Sequence, residues 1–164
     1  VTSEQCYVFE KATDNGRLDA ANDVLKVSSG RDAKNISNRI YTRPGWEEKS
    51  RAIMKDILVE KTKQVEEVKN YLLSTGDKLI AECVQSDQLW SCGLSKDAAR
   101  NTDPTVWPGK NVLGKLWMEV RSELQSDSDD GYRASTRGQK RLPSSELSGR
   151  ASSRSRITSP QPNG

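Results

Sequence analysis

The sequence predicts a mainly α-helical fold, a single compact helical domain with little or no strand, followed by a disordered C-terminal tail. Apolar residues recur at helical spacing along most of the first three quarters of the chain. The only segment with strand character, LIAECV at 79–84, is short, and the composition changes after residue 125. We therefore expect a domain at residues 1–125, long enough to bury a core, and a tail at residues 126–164.

The first half of the domain predicts three helices. Thr2 or Ser3 can cap a helix that runs through EQCYVFEKA. After the TDNG turn, RLDAANDVLKV places its apolar residues at helical spacing, and a short helix around AKNISNRI follows Gly30. The TRPG sequence then breaks the chain before the next element.

The second half of the domain predicts three more helices. From Trp46 to about Lys63, and again through VEEVKNYLL, apolar residues keep a helical period, and Gly76 is a natural C-terminal cap. The LIAECV segment suits a strand or an extended loop equally well. The last helix, NVLGKLWMEVRSEL, has the clearest amphipathic stripe, and Asn111 can cap its start.

A long irregular loop is predicted at residues 85–111. Loops of this length in compact domains usually serve function. Trp90 and Trp107 each bring a large apolar surface that needs burial or a ligand. Asp87 stands three residues before Trp90, and a carboxylate beside an aromatic platform suits a ribosyl or purine group.

The tail carries the whole net charge of +3, with seven basic and four acidic residues among residues 126–164. Ten serines stand in the same stretch, and apolar residues are few. Such a composition buries too little apolar surface to offset the entropy of ordering, so disorder is expected. The Ser/Arg character suits a solvated extension, weak nucleic-acid contacts with RNA, nuclear targeting or phosphorylation.

Two features of composition narrow the chemistry. Histidine is absent, which excludes Ser–His and Cys–His nucleophile pairs and His-ligated zinc, and leaves carboxylate, lysine, tyrosine or thiol for acid–base work. Cys6, Cys83 and Cys92 are odd in number and lack C-x-x-C spacing. This pattern favours a reducing compartment without a disulfide framework or a metal knuckle.

No apolar run approaches the length of a membrane span, and the N-terminus lacks a secretory pattern. We therefore expect an intracellular protein, cytoplasmic or nuclear, with no membrane partner. The sequence also lacks the glycine-rich phosphate loops of the common nucleotide folds. No metal or redox cofactor is called for.

Five motifs, taken together, resemble the NADAR family in order and spacing. They are T-S-E-Q at 2–5 with K-A at 11–12, G-W-E at 45–47, L-L-S-T-G-D at 72–77, S-D-Q-L-W-S-C-G at 86–93, and W-P-G-K-N-V-L-G-K-L-W-M-E-V-R at 107–121. The resemblance implies a mainly helical fold and hydrolysis of an N-glycosidic bond between a ribose and a base. Family members act on ribosylamino-pyrimidine phosphates of riboflavin synthesis, and others remove ADP-ribose from guanine.

The resemblance also implies site residues. Glu4 and Asp87 look like the catalytic carboxylates, and Lys11 like a third catalytic residue. The implied substrate-binding residues are Trp46, Trp90, Gly93, Asn111, Gly114 and Arg121. The expected partner is a small nucleotide or an ADP-ribosylated nucleic acid.

Physical chemistry is compatible with these roles and leaves some open. Breaking a ribosyl C–N bond passes through a cation-like sugar, which needs a carboxylate. Lys11 suits a phosphate contact or, with a lowered pKa, attack on the opened ribose. Glu4 and Lys11 also suit a surface ion pair two helical turns apart. Arg121 suits phosphate binding or the helix dipole, and Gly114 suits close approach of a backbone or a ligand.

Two departures from the family pattern support an alternative function. The chain reads W-S-C-G where family members usually read W-G-x-G, so Ser91 replaces a glycine. The usual segment before T-S-E, with an F-x-x-x-S-N-F-like stretch, is not present in these 164 residues. The alternative is a catalytically degenerate module that binds ADP-ribose or another nucleotide, and the segment's absence predicts an N-terminally incomplete domain.

Overall fold

The computed structural model of the chain describes residues 2–137, and it is mainly helical, as predicted. Within this range no residue is assigned to a β-strand. The helices are α1 (Ser3–Asp14), α2 (Leu18–Val24), α3 (Gly30–Ser37), α4 (Trp46–Gln64), α5 (Glu66–Ser74), α6 (Lys96–Arg100) and α7 (Val112–Arg137), with a 3-10 turn at Pro104–Val106.

Helix α1 is capped by Thr2, one of the two residues predicted for that role, and the cap is a capping box. The Thr2 side chain accepts the Gln5 N–H at 3.2 Å, and the Gln5 side-chain oxygen accepts the Thr2 N–H at 2.8 Å. The Gln5 amide nitrogen also donates to the Val27 carbonyl at 2.7 Å. These bonds fix the first turn of α1, which contains Glu4, against the loop that leads to α3.

Helix α4 joins the two halves of the domain. It packs on α1, which in turn contacts α2 and α3, and it also packs on α5 and α7. Val8 of α1, Leu58 of α4 and Val120 of α7 are at most 2% exposed and belong to one continuous core. The amphipathic stripes seen in the sequence therefore meet around α4.

The LIAECV segment is an extended loop rather than a strand. Its backbone groups bond to a side chain and to a loop: the Asn111 amide donates to Ile80 O at 2.9 Å, and Cys92 N donates to Glu82 O at 2.9 Å. Further along, the loop predicted as irregular contains helix α6 and the 3-10 turn. Both are short, so neither has enough residues to show a clear apolar period.

Helix α7 continues to Arg137, so the boundary predicted at residue 125 falls inside a helix. The apolar stripe ends near Leu124, but the backbone hydrogen bonds of a helix do not depend on such a stripe. Residues 138–164, the remainder of the predicted tail, lie outside the described residues. Among helices in the described part of the chain, none combines the length and apolarity that crossing a membrane requires.

Gly114 allows α7 to approach the extended loop, so the close contact predicted there is made by backbone. A Cβ at this position would lie 2.2 Å from Ile80 O and 2.6 Å from the Asn111 amide atoms. We predict that Gly114→Ala lowers the free energy of unfolding by about 2 kcal/mol or more, because neither neighbour can move without breaking the hydrogen bond from Asn111 to Ile80 O. Urea denaturation measures this change.

The matched control is Gly30→Ala, also in a helix. A Cβ there would meet Glu4 Cβ at 3.4 Å, which is ordinary van der Waals contact. We expect its free energy of unfolding to stay within about 0.5 kcal/mol of the unsubstituted protein. Equal losses at both glycines would contradict the assigned role of Gly114.

Candidate functional site

One face of α1 carries three ionisable side chains. Glu4, Tyr7 and Lys11 are spaced by three and four residues and therefore stand one above the other. Glu4 is half-buried, and the charges that act on it belong to Lys34 of α3, Asp87 of the loop and Lys11. The fold thus brings together the three predicted catalytic residues, Glu4, Lys11 and Asp87, and adds Lys34.

Glu4 sits in an environment that disfavours its charge. Burial raises the pKa of Glu4 above its ordinary 4.5, and the negative charge of Asp87 acts in the same direction, whereas Lys34 and Lys11 oppose them. The first residue of α3, Gly30, packs on the Glu4 side chain and helps to cover it. A carboxyl group that takes up a proton this readily is suited to acid–base chemistry.

Lys11 is anchored to α3. Its ammonium group donates to Ser37 O at 2.9 Å and to Ser37 Oγ at 3.1 Å. Burial lowers the pKa of Lys11 below its ordinary 10.5, and Glu4 opposes that shift. These contacts favour a held, partly desolvated lysine over the exposed ion pair with Glu4 that the spacing also allowed.

Asp87 organises the loop on which it stands. Its Oδ1 accepts the Leu89 N–H at 3.0 Å and the Trp90 N–H at 2.8 Å. A side-chain oxygen that accepts backbone N–H groups two and three residues ahead closes a turn. The D-x-x-W spacing therefore fixes the carboxylate and the indole relative to each other.

Tyr7 links the aromatic residues of the site. Its ring lies 5.9 Å from that of Trp46 and meets Trp90 edge-on at 5.5 Å. Burial raises the pKa of Tyr7 above its ordinary 10.0, although hydrogen bonding by Ser50 and Trp46 opposes the shift. Trp46 is only 7% exposed and belongs to the core, so of the two tryptophans predicted to bind substrate, the half-buried Trp90 is the more accessible.

Three of the residues predicted to bind substrate contact other parts of the protein. Asn111, which adopts a positive φ of 50°, accepts the Glu82 N–H at 3.0 Å and donates to Ile80 O, so its side chain does not cap α7. Gly114 lies under the same loop. Arg121 is 6% exposed, and its Nη1 donates to Thr75 Oγ1 and Lys78 O, at 2.7 and 2.8 Å. Neither a phosphate contact nor a dipole interaction is needed to explain this arginine.

Gly93 also has a structural position. It adopts a φ of 76°, and a Cβ there would lie 3.0 Å from Pro108 and 3.1 Å from the backbone of Gly109. Two chain segments meet at this point, and Gly109 N donates to Cys92 O at 2.9 Å. Trp107, singled out for its apolar surface, is half-buried beside them and donates to Thr102 O at 3.2 Å.

Ser91, the departure from W-G-x-G, points into the protein. Its fully buried hydroxyl accepts N–H groups from Val84 at 2.7 Å and Gly93 at 3.1 Å, and has Glu82 O and Val84 O within 2.9 Å as acceptors for its own proton. This serine therefore ties the two ends of the loop together and presents no surface to solvent.

Sequence reasoning missed Lys34 and Ser37. A lysine on the exposed face of a short helix carries no signal by itself, and Ser37 contributes partly through its backbone carbonyl. The sequence does contain a signal for Tyr7, because this residue stands three residues after Glu4 and four before Lys11 on the same helical face.

A groove with a volume of about 740 Å³ lies on the opposite side of α1. Cys6, Phe9, Leu25 and Ile57 line it together with Glu10. The groove is mainly apolar and contains none of the residues whose pKa values are shifted on the Glu4 face. We therefore assign the candidate site to the Glu4 face. No group of three potential metal ligands occurs within residues that the structure describes.

Comparison with known proteins identifies relatives of the domain. A family model described as "NADAR domain" matches residues 1–125. Protein irg-1 of Caenorhabditis elegans is 30% identical over 126 residues, covering 74% of this chain and 59% of that protein. A protein of Acanthamoeba polyphaga mimivirus named as an N-glycosidase is 31% identical over 127 residues, covering 76% of this chain and 75% of that protein.

Two further comparisons agree with these. A Nostoc punctiforme protein, also named as an N-glycosidase, is 31% identical over 84 residues, covering 51% of this chain and 47% of that protein. The NMR structure of the Escherichia coli protein YbiA superposes with a TM-score of 0.61 at 26% identity, covering 77% of this chain and 68% of that chain.

The desolvated Glu4 carboxylate predicts a stabilising substitution. The pKa of Glu4 is raised in the folded state, so ionisation of this group lowers the stability of the folded protein as pH rises through that pKa. Glu4→Gln removes the cost, and we expect a melting temperature about 1 to 3 °C higher near pH 7, a modest gain because the group is only half-buried.

The advantage of Glu4→Gln should shrink near pH 4, where the native carboxyl is itself protonated. Thermal unfolding followed by circular dichroism at both pH values measures it. Glu10→Gln, on the exposed face of the same helix, serves as the control and should change little. At each pH, the change in melting temperature is taken relative to the unsubstituted protein. A change caused by Glu4→Gln that is smaller near pH 7 than near pH 4 would contradict the burial argument.

Proposed function

The chain belongs to the NADAR family, and we propose that it is an N-glycosidase that hydrolyses the bond between ribose and a nitrogenous base in a ribosylated or ADP-ribosylated substrate. Two relatives named as N-glycosidases support the reaction class. The single observation that carries the proposal is the half-buried Glu4 carboxyl with a raised pKa in the electrostatic field of Asp87, Lys34 and Lys11.

The two carboxyl groups differ in their surroundings, which suits them to different tasks. Asp87 is fixed by two backbone N–H groups, so its charge is in place when positive charge develops on the sugar carbon. Glu4 binds a proton more readily than an exposed glutamate and can take one from the attacking water. The base departs with the electron pair of the C–N bond, the water oxygen adds to the sugar carbon, and the proton that Glu4 took from the water passes to the base.

The two lysines favour an anionic substrate. Lys34 is exposed at the edge of the site, where it can pair with a phosphate, and Lys11 adds a second positive charge deeper inside. The half-buried Trp90 offers an aromatic face to the base, a contact worth about 1 to 3 kcal/mol in comparable sites. The edge-on contact with Tyr7 supports the position of the Trp90 ring.

Removal of either carboxylate charge tests the proposal. We expect Glu4→Gln and Asp87→Asn each to slow release of free base by roughly 100-fold or more. Asparagine retains an oxygen that can accept the Leu89 and Trp90 N–H groups, so the loop is preserved while the charge is lost. Chromatography of released base, from ADP-ribosylated guanine in DNA and from a ribosylamino-pyrimidine phosphate, gives the rates.

Glu10→Gln is the matched control for these variants and should release base at the unsubstituted rate. If Glu4→Gln remains fully active, Glu4 is not the acid–base group. If the unsubstituted protein releases nothing from either substrate yet binds ADP-ribose, the domain is a nucleotide-binding module. Borohydride reduction during turnover, followed by mapping of the modified lysine, tests the nucleophile role of Lys11, since an imine between Lys11 and the opened ribose would be trapped.

The pH dependence of turnover provides an independent test. Glu4 must be ionised to accept a proton, so the rate should fall on the acidic side through a pKa above 4.5. Lys34 lowers that pKa, so Lys34→Met should move the acidic limb to higher pH, whereas Lys61→Met in the groove behind α1 should leave it in place. An acidic limb that does not respond to Lys34→Met would exclude Glu4 as its source.

A further inference from the structure

Two of the three cysteines lie side by side. The Cys92 Sγ donates to the Cys83 Sγ across 3.9 Å, and the third cysteine, Cys6, lines the groove behind α1. Cys83 and Cys92 stand at the two ends of residues 84–91, which we term the site segment because it contains Asp87 and Trp90. A bond between the two sulfurs would therefore close the site segment into a ring.

The backbone already holds the two ends of the site segment together. Cys92 N donates to Glu82 O at 2.9 Å, and the buried Ser91 hydroxyl accepts the Val84 N–H. The sulfurs need to approach by about 2 Å to reach the disulfide bond length of about 2.05 Å. Rotation of the Cys83 side chain, which is only half-buried, can supply part of this movement.

We propose that Cys83 and Cys92 form a redox modification site, at which a small disulfide such as glutathione disulfide converts the two thiols into an intramolecular disulfide that clamps the site segment. The Cys83 thiolate attacks the small disulfide, forming a mixed disulfide and releasing one thiolate. The Cys92 thiolate then attacks Cys83 Sγ and releases the second. Two electrons pass to the oxidant, and the two protein protons end on the released thiols.

The order of the two steps follows from exposure. Cys83 is half-buried and open to a small reagent, whereas Cys92 is 0% exposed and can only act as the resolving thiol. Burial raises the pKa of the Cys83 thiol, with Cys92 and Glu82 acting in the same direction and Lys96 opposing them. Oxidation should therefore be slow near neutral pH and accelerate as pH rises.

Mass spectrometry of the full chain in a Cys6→Ser background tests the proposal. After incubation with glutathione disulfide, the tryptic peptide spanning residues 79–96, which contains both cysteines, should be two hydrogen atoms lighter and should return to its original mass with dithiothreitol. The melting temperature of the oxidised protein should rise by about 3 °C or more. Neither readout depends on glycosidase activity.

Single substitutions separate the roles of the two thiols. Cys92→Ser should accumulate a glutathione adduct on Cys83, because the resolving thiol is gone, whereas Cys83→Ser should leave the buried Cys92 unmodified. Failure of the unsubstituted pair to form the bond would overturn the proposal, as would an adduct on Cys92 in the folded Cys83→Ser protein. A disulfide that forms but lowers the melting temperature would overturn the proposal that the bond clamps the site segment.

Discussion

The candidate site depends on the hydrogen bonds by which Ser91 and Asn111 hold an extended stretch of backbone against the start of α7. Residues 79–84 have no neighbouring strand among the described residues, so their polar backbone groups need other partners. The Asn111 amide bridges Ile80 and Glu82, and the Ser91 hydroxyl bridges Glu82 and Val84. Together with the backbone bond from Cys92 N to Glu82 O, these two side chains fix the loop that presents Asp87 to Glu4.

At Glu4, the environment that suits acid–base chemistry also lowers the stability of the domain. Glu4 stands in the first turn of α1, where a carboxylate near the positive end of the helix dipole is ordinarily stabilising. Burial under α3 and the charge of Asp87 outweigh that benefit and raise the pKa of Glu4. A group that the fold holds at a cost is best explained by a function that needs it.

Much of the helical fold could be predicted from spacing, because amphipathic stripes report which face of a helix is buried. The roles of Asn111 and Arg121 could not be predicted, because a polar residue in a motif may serve either a ligand or the backbone. Arg121 shows the difficulty: its guanidinium spans from α7 to Thr75 and Lys78, more than 40 positions earlier in the chain. No local pattern reports a contact of that sequence separation.

The side chains of the S-D-Q-L-W-S-C-G motif fall into two groups that face different parts of the protein. Asp87 and Trp90 lie on the side of Glu4 and Tyr7, whereas Ser91 and Cys92 are fully buried and bond to the backbone of the preceding segment. The exchange of glycine for serine falls in the buried half. Its hydroxyl adds hydrogen bonds that a glycine could not make, so the departure strengthens the support of the loop and leaves Asp87 and Trp90 unchanged.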